Sequence, residues 1–303
     1  MRAAVLGSPI GHSLSPYLHR AAYRAMGLDG WSYEAFECDE ARLPGLLAEL
    51  TPTRGQARGD GPESRKAHGD GPESGAAYGD EPAVWAGLSL TMPLKRAVLP
   101  LLDTVSDLAV EVGGANTVVF RDGARHGDNT DVHGIEQALA EAGVPAPGSA
   151  TVLGGGATAA SALAALRNLG LHEATLVVRD PSRAGETAEV ADRLGVTLAV
   201  ETFDKLDAAV GVDLVVSTLP GGAADAFASR LAGVPALFDV VYAPWPTRAA
   251  AAVQAAGGTV VAGYAMLLHQ AVRQVELMTG RTDVPVAVMR AAGEAEIARR
   301  AGL

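Results

Sequence analysis

Two ionisable residues in the first half of the chain sit where proton chemistry could be done. Lys95 follows Thr91-Met92-Pro93-Leu94, and Pro93 opens a helix, so the lysine falls in that helix's first turn. An ammonium there works against the helix dipole, which favours giving up a proton. The plainer reading is a solvated lysine, and position alone favours it. Asp131 follows Gly127-Asp128-Asn129-Thr130 and opens a helix of its own. A simple N-cap accounts for it at least as well. Ser15, before Pro16, also reads as a helix cap, and Asn116 as a turn residue.

Gly154-Gly155-Gly156 offers chemistry of another kind. It follows the short strand Thr151-Val152-Leu153 and precedes an Ala/Leu-rich helix running to Leu169. Gly154, Gly156 and Ala159 fit Gly-x-Gly-x-x-Ala. Such glycines permit a tight turn and close approach of a pyrophosphate, while Ala157, Thr158 and the helix start supply N–H donors. In this setting the pattern points to a dinucleotide. The end of the next strand, Val177-Val178-Arg179-Asp180-Pro181-Ser182-Arg183, should select which one. Arg179 and Arg183 suit a 2′-phosphate. Asp180 would suit a free ribose hydroxyl, but Asp-Pro is also an N-cap with proline at N1. The balance favours NADP over NAD.

Alternating strands and helices must position these groups. In the first half, strands are expected at Arg2–Gly7, 31–37 and 84–91. A hairpin spans 115–120 and 125–129 around Asp122-Gly123. Helices are expected at 17–26, with Gly27 as its C′ residue, at 44–50 and at 131–142. From Ala150 onward, strands at 151–153, 174–178, 196–202, 214–217, 236–241 and 259–262 alternate with helices. That means a parallel sheet covered on both faces. Helices at 266–278 and 286–299 end the chain. The fold class is α/β with two domains, the second of Rossmann type.

Composition narrows the function. The chain has 303 residues, 48% hydrophobic, with a net charge of −11 and a mean hydropathy of +0.16. It is globular in composition, and its charge disfavours nucleic acid and anionic membranes as partners. The single cysteine, Cys38, excludes an internal disulfide and Cys-based metal clusters. The seven histidines show no HExxH pattern, so no metal is expected; His12 and His19 are assigned to the N-terminal fold, with a substrate-side role left open for His12. No apolar run reaches the roughly 18 residues of a membrane span, and the N-terminus lacks a signal-peptide core. A cytoplasmic setting is expected. Residues 55–80 form a ten-residue tandem repeat of Gly, Asp, Pro, Glu and Ser. Such a composition reads as a disordered insert.

Taken together, several motifs resemble the shikimate dehydrogenase family. Gly7-Ser8-Pro9-Ile10-Gly11-His12-Ser13-Leu14-Ser15-Pro16-Tyr17-Leu18-His19 resembles its N-terminal signature. Ser89-Leu90-Thr91-Met92-Pro93-Leu94-Lys95 resembles its Asn-Val-Thr-x-Pro-Phe-Lys. Gly114-Ala115-Asn116-Thr117-Val118, Asn129-Thr130-Asp131, Asp239-Val240-Val241-Tyr242 and Gly263-Tyr264-Ala265-Met266-Leu267 with Gln270 match further motifs. The resemblance implies reversible, NADPH-dependent reduction of 3-dehydroshikimate to shikimate, in aromatic amino-acid and chorismate biosynthesis. It makes Lys95 and Asp131 a catalytic dyad and gives Ser13 and Ser15 the substrate carboxylate. Thr91, Asn116, Tyr242 and Gln270 would hold substrate hydroxyls or carboxylate. Gly154 to Thr158, with Arg179, Asp180 and Arg183, would hold the cofactor, and Val240, Gly263 and Met266 would lie near its nicotinamide. The implied domains are 1–130 for substrate, 131–262 for NADP, and 263–303 returning to the first.

The chain departs from the family pattern in places. Ser89 replaces an Asn, Val178-Arg179-Asp180 replaces Asn-Arg-Thr, Ser217-Thr218-Leu219 replaces Asn-Ala-Thr, and Val132 replaces a Gly. An NAD-dependent quinate/shikimate dehydrogenase, motivated by Asp180, is one competing reading. A non-catalytic metabolite sensor is another, though keeping both Lys95 and Asp131 argues against it. Monomer and homodimer stay open.

Overall fold

The computed structural model describes residues 1–51 and 84–302. The tandem repeat at 55–80 lies outside the described residues. The first lobe carries β1 (Arg2–Gly7), β2 (Ser32–Glu37), β3 (Trp85–Leu90), β4 (Thr104–Val105), β5 (Thr117–Arg121) and β6 (Ala124–Asp128). They form one sheet in the order β2-β1-β3-β5-β6-β4. β1 runs parallel to β2 and β3, while β5 is antiparallel to β3 and β6. The β5–β6 hairpin turns on Asp122 (φ 51°) and Gly123 (φ 77°), the paired positive φ that a two-residue hairpin turn needs.

The second lobe carries β7 (Ala150–Leu153), β8 (Glu173–Val178), β9 (Thr197–Thr202), β10 (Leu214–Ser217), β11 (Ala236–Asp239) and β12 (Thr259–Ala262). All pairings are parallel, in the order β12-β11-β10-β7-β8-β9. This is the doubly wound dinucleotide-binding order, and the chain reverses direction between β7 and β10. Its central strands β7, β10 and β11 are buried at every position. They are apolar apart from Thr151, Ser217 and Asp239, because helices cover both faces.

The helices are α1 (Ser15–Ala25), α2 (Leu43–Leu50), α3 (Leu94–Ala97), α4 (Asp107–Glu111), α5 (Asp131–Glu141), α6 (Ala157–Asn168), α7 (Gly185–Leu194), α8 (Leu206–Ala209), α9 (Ala228–Leu231), α10 (Arg248–Ala255), α11 (Gly263–Thr279) and α12 (Val286–Ala301). Helix α11 joins the lobes. Its Met266 packs in the core under the second sheet, while Leu268, Ala271 and Val275 pack with α1 and β1 of the first. The C-terminal helices therefore return to the first lobe.

Three local expectations change. Ser15 is not the cap of α1: Leu14 holds that position, and Ser15 is the first helical residue, its N–H bonded to Ser13 Oγ at 3.3 Å. Asp131 is not the cap of α5, since Thr130 precedes it and the carboxylate points elsewhere. Helix α3 is a single turn, so a dipole is not what meets Lys95. By contrast, Asp180 does cap its own turn, accepting from Ser182 N at 3.0 Å and Ser182 Oγ at 2.7 Å.

Candidate active site

A cavity of about 270 Å³ opens between the lobes. Both catalytic candidates line it. Lys95 Nζ lies 2.5 Å from Asp131 Oδ2, with the two side chains 15% and 4% exposed. The single-turn α3 brings Lys95 to the wall, and its backbone carbonyl accepts from Ala115 N at 2.8 Å. Asp131 arrives at the first turn of α5, where the helix dipole favours an anion. Its other oxygen accepts from Asn116 Nδ2 at 2.8 Å, and Asn129 Oδ1 accepts its backbone N–H at 3.0 Å. Both carboxylate oxygens are thus held, and the ammonium is aimed into the cavity rather than into solvent.

Ser13, Ser15, Thr91, Tyr242 and Gln270 line the same space. Ser13 and Ser15 lie at the start of α1, where Ser13 Oγ accepts the Ser15 N–H. Gln270 accepts from Asn116 Nδ2 at 3.3 Å and gives its own N–H to Leu267 O at 2.8 Å. Burial pushes the Tyr242 hydroxyl's pKa above its ordinary value. The loop bearing Tyr242 is anchored by Asp239, which accepts from Thr247 Oγ1 at 2.9 Å and Val241 N at 3.2 Å. Burial raises the Asp239 carboxyl pKa.

From the second lobe, Thr158, Val240, Gly263 and Met266 reach the cavity. A Cβ on Gly263 would lie 1.9 Å from Val240 O, so only glycine lets these two segments meet. The turn before α6 lies alongside. Gly154 has φ +98°, and a Cβ there would sit 2.8 Å from Thr218 Oγ1. A Cβ on Gly156 would meet nothing within 4 Å, which leaves the α6 N-terminus open to a phosphate. Arg179 and Asp180 stand exposed at the end of β8 and do not line the cavity. The backbone of Arg183 closes the turn after β8, while its side chain lies outside what is described.

Some lining residues do not stand out by type and spacing. His12, assigned to the N-terminal fold, is exposed and lines the cavity, whereas His19 is fully buried. Ser89 and Gln274 also line it. The available signal for Gln274 is its place four residues after Gln270, on the same helix face. Among the described residues no group of three or more His, Cys, Asp or Glu could hold a metal ion.

A family model described as the shikimate dehydrogenase substrate binding domain matches residues 5–59 and 77–118. A second, the shikimate 5'-dehydrogenase C-terminal domain, matches 263–292. A curated relative from Thermus thermophilus, shikimate dehydrogenase (NADP(+)), is 35% identical over 99% of this chain and 98% of its own. The chain belongs to the shikimate dehydrogenase family. The crystal structure of Mycobacterium tuberculosis shikimate dehydrogenase is 40% identical, with a TM-score of 0.79 over 97% of this chain and 99% of that one. Thermus thermophilus shikimate 5-dehydrogenase in complex with NADP(H) and shikimate is 30% identical, with a TM-score of 0.75 over 97% and 99%. The shikimate dehydrogenase substrate-binding match takes in Ser13, Ser15, Ser89, Thr91, Lys95 and Asn116. The C-terminal match takes in Gly263, Met266, Gln270 and Gln274. Among the described residues no helix is long and apolar enough to cross a membrane.

Proposed function

We infer that this chain carries out the reversible, NADPH-dependent reduction of 3-dehydroshikimate to shikimate, a step of aromatic amino-acid biosynthesis, with Lys95 and Asp131 as its proton-transfer pair. The observation that carries this reading is the Lys95–Asp131 contact, 2.5 Å long and nearly buried, opening onto a cavity walled by both lobes. When bound, the dinucleotide supplies the hydride to the carbonyl carbon. Negative charge then builds on the carbonyl oxygen and must be met by a proton. Lys95 Nζ gives that proton, and Asp131 keeps the ammonium aimed while accepting from Asn116. In the reverse direction the neutral amine takes the hydroxyl proton. Ser13 and Ser15 hold the substrate carboxylate. Thr91, Asn116, Tyr242 and Gln270, which line the cavity, hold the ring.

The turn fits a dinucleotide. Gly154 needs its positive φ and its missing Cβ, and the open space at Gly156 faces the start of a 12-residue helix. Gly155, Ala157 and Thr158 complete that phosphate cradle. Arg179 and Arg183 take the 2′-phosphate. Asp180 turns its carboxylate onto Ser182 of its own turn, which supports NADP over NAD. Val240, Gly263 and Met266 flank the nicotinamide. Residues 1–130 would form the substrate domain, 131–262 the NADP domain, and 263–303 the returning helices. The setting is cytoplasmic.

The test is absorbance at 340 nm with purified protein, shikimate and either NADP⁺ or NAD⁺, with quinate as control. Turnover of shikimate with kcat/KM higher for NADP⁺ is expected. Absence of turnover would sink the assignment, and a preference for quinate with NAD⁺ would replace it.

A further inference from the structure

From the cavity wall into the first lobe runs a hydrogen-bonded chain of buried side chains, of which the mechanism above uses only the Asn116–Asp131 end. Tyr33 on β2 reaches across β1, where its pairing partner is only Ala3, and its hydroxyl lies 2.6 Å from Ser89 Oγ on β3. Ser89 Oγ lies 2.7 Å from Gln274 Oε1 on α11. Gln274 Nε2 lies 3.2 Å from the carbonyl of Asn116 and 3.1 Å from Thr117 Oγ1. Thr117 Oγ1 lies 2.8 Å from Asn116 Oδ1, and Asn116 Nδ2 meets Asp131 Oδ1.

Two backbone groups fix the direction of every bond in this chain. The N–H of Thr130 points at Asn116 Oδ1 at 2.8 Å, and an N–H can only donate. Asn116 therefore turns its oxygen to Thr130 and its NH₂ to Asp131. At the other end, the Asn116 carbonyl can only accept, so Gln274 turns its NH₂ toward it and its Oε1 toward Ser89. Gln274 Oε1 has no proton, so the Ser89 hydroxyl must donate to it. Ser89 has no second proton, so Tyr33 must donate to Ser89. His19 agrees with this sign. Burial drives its pKa down to about 3, so the ring is neutral, and Nε2 lies 3.3 Å from the same Gln274 Oε1.

A serine hydroxyl has one proton and two lone pairs. At Ser89 the proton is committed to Gln274 and one lone pair to Tyr33. One lone pair is left, and Ser89 lines the cavity. We propose that Ser89 meets the substrate only as a hydrogen-bond acceptor, selecting a ring hydroxyl that donates, and that Tyr33 and Gln274 are the positioning residues that enforce this. An amide at the same place could present either sign. A serine with both neighbours fixed cannot. The proposal rests on the cavity being the shikimate site.

The test uses shikimate and two sets of derivatives in which one non-reacting ring hydroxyl is replaced by hydrogen or by fluorine. Fluorine keeps an acceptor and removes the donor. At the hydroxyl facing Ser89, both replacements should raise KM alike, by about 5- to 10-fold, the scale of one neutral hydrogen bond. In Ser89→Ala the penalty at that position should vanish. Tyr33→Phe, whose lost hydroxyl also touches Ser15, should raise KM for shikimate about 3-fold, leave KM for NADP⁺ unchanged, and have a smaller effect when added to Ser89→Ala. A purely structural Tyr33 would instead act equally in both backgrounds. If fluorinated substrate binds as well as shikimate at both positions, or Ser89→Ala keeps the wild-type penalties, the acceptor assignment is wrong while the function stands. If wild type fails to turn over shikimate, both fall. Should Tyr33→Phe not fold, the derivatives with Ser89→Ala still read the polarity.

Discussion

Lys95 illustrates how little one residue's local sequence says about its work. A lysine after a proline at a helix start is ordinary. What singles it out is Asp131 at 2.5 Å, 36 positions away in the chain. Lys95→Ala should lower kcat by about 10²- to 10⁴-fold, the usual scale for a positioned proton donor, with KM for shikimate nearly unchanged. A change in KM alone would remove Lys95 from the chemistry. Asp131 keeps Asn116 in that variant, so the wall it belongs to persists. His19 makes a second prediction at this scale. Its ring stacks on Tyr33 with centroids 3.9 Å apart, fully buried. Desolvation lowers its pKa to about 3 from an ordinary 6.5. Between those values the unfolded chain binds a proton that the folded chain does not, so stability falls as pH drops below 6.5. From pH 7 to pH 5 this one group should cost about 2 kcal/mol. Denaturant melts at both pH values should show a smaller loss for His19→Phe, and equal losses would contradict the buried neutral ring.

At the scale of elements, the site depends on how closely α5 and α11 cross. Helix α5 presents Asp131 and α11 presents Gln270, and both reach Asn116. They approach at Gly134, where a Cβ would lie 2.7 Å from Met266 O and 3.0 Å from Gln270 Cβ. Gly134→Ala must push the helices apart or displace the Gln270 backbone. An overpacked crossing of this kind costs about 1–3 kcal/mol, and kcat/KM for shikimate should fall with Tm. Unchanged kinetics in a folded variant would show that the crossing does not set the site. The elements themselves were legible in the sequence. The parallel strands read as short apolar runs because both faces are covered, and Asp122-Gly123 marked the hairpin. The glycine turn stood out because its chemistry is local. What could not be read were contacts between elements. Ser89 meets Tyr33 from 56 residues away and Gln274 from 185. No period or motif encodes such a pairing, since the sheet order and the return of α11 create it. Arg179 stood out by type, yet it is exposed and does not line the cavity.

For the whole molecule, the count of 303 residues overstates what the two lobes need. The substrate-binding family model matches 5–59 and resumes at 77, passing over 60–76. Those residues fall in the stretch of Gly-Asp-Gly-Pro-Glu-Ser repeats, which holds almost no apolar side chain able to join a core. Among the described residues, the cavity is lined by Ser13, Ser15, Lys95, Asn116 and Asp131 together with their neighbours. The two flanks are already tied together without the repeat. β1 pairs with β3 from Arg2 to Leu6, and Arg2 N donates to Val84 O at 2.9 Å. Loop-closure entropy changes slowly with length, by roughly 0.6 kcal/mol for each doubling, so shortening the connection should alter stability little. Deleting residues 60–76 should therefore leave turnover, the apparent affinity for both substrates and Tm close to those of the full chain. The measurement is steady-state kinetics for shikimate and NADP⁺ beside a thermal melt. Catalytic efficiency lowered by about an order of magnitude or more, with an unchanged melt, would give the repeat a part in catalysis. Loss of both efficiency and thermal stability would make it part of the folded lobe.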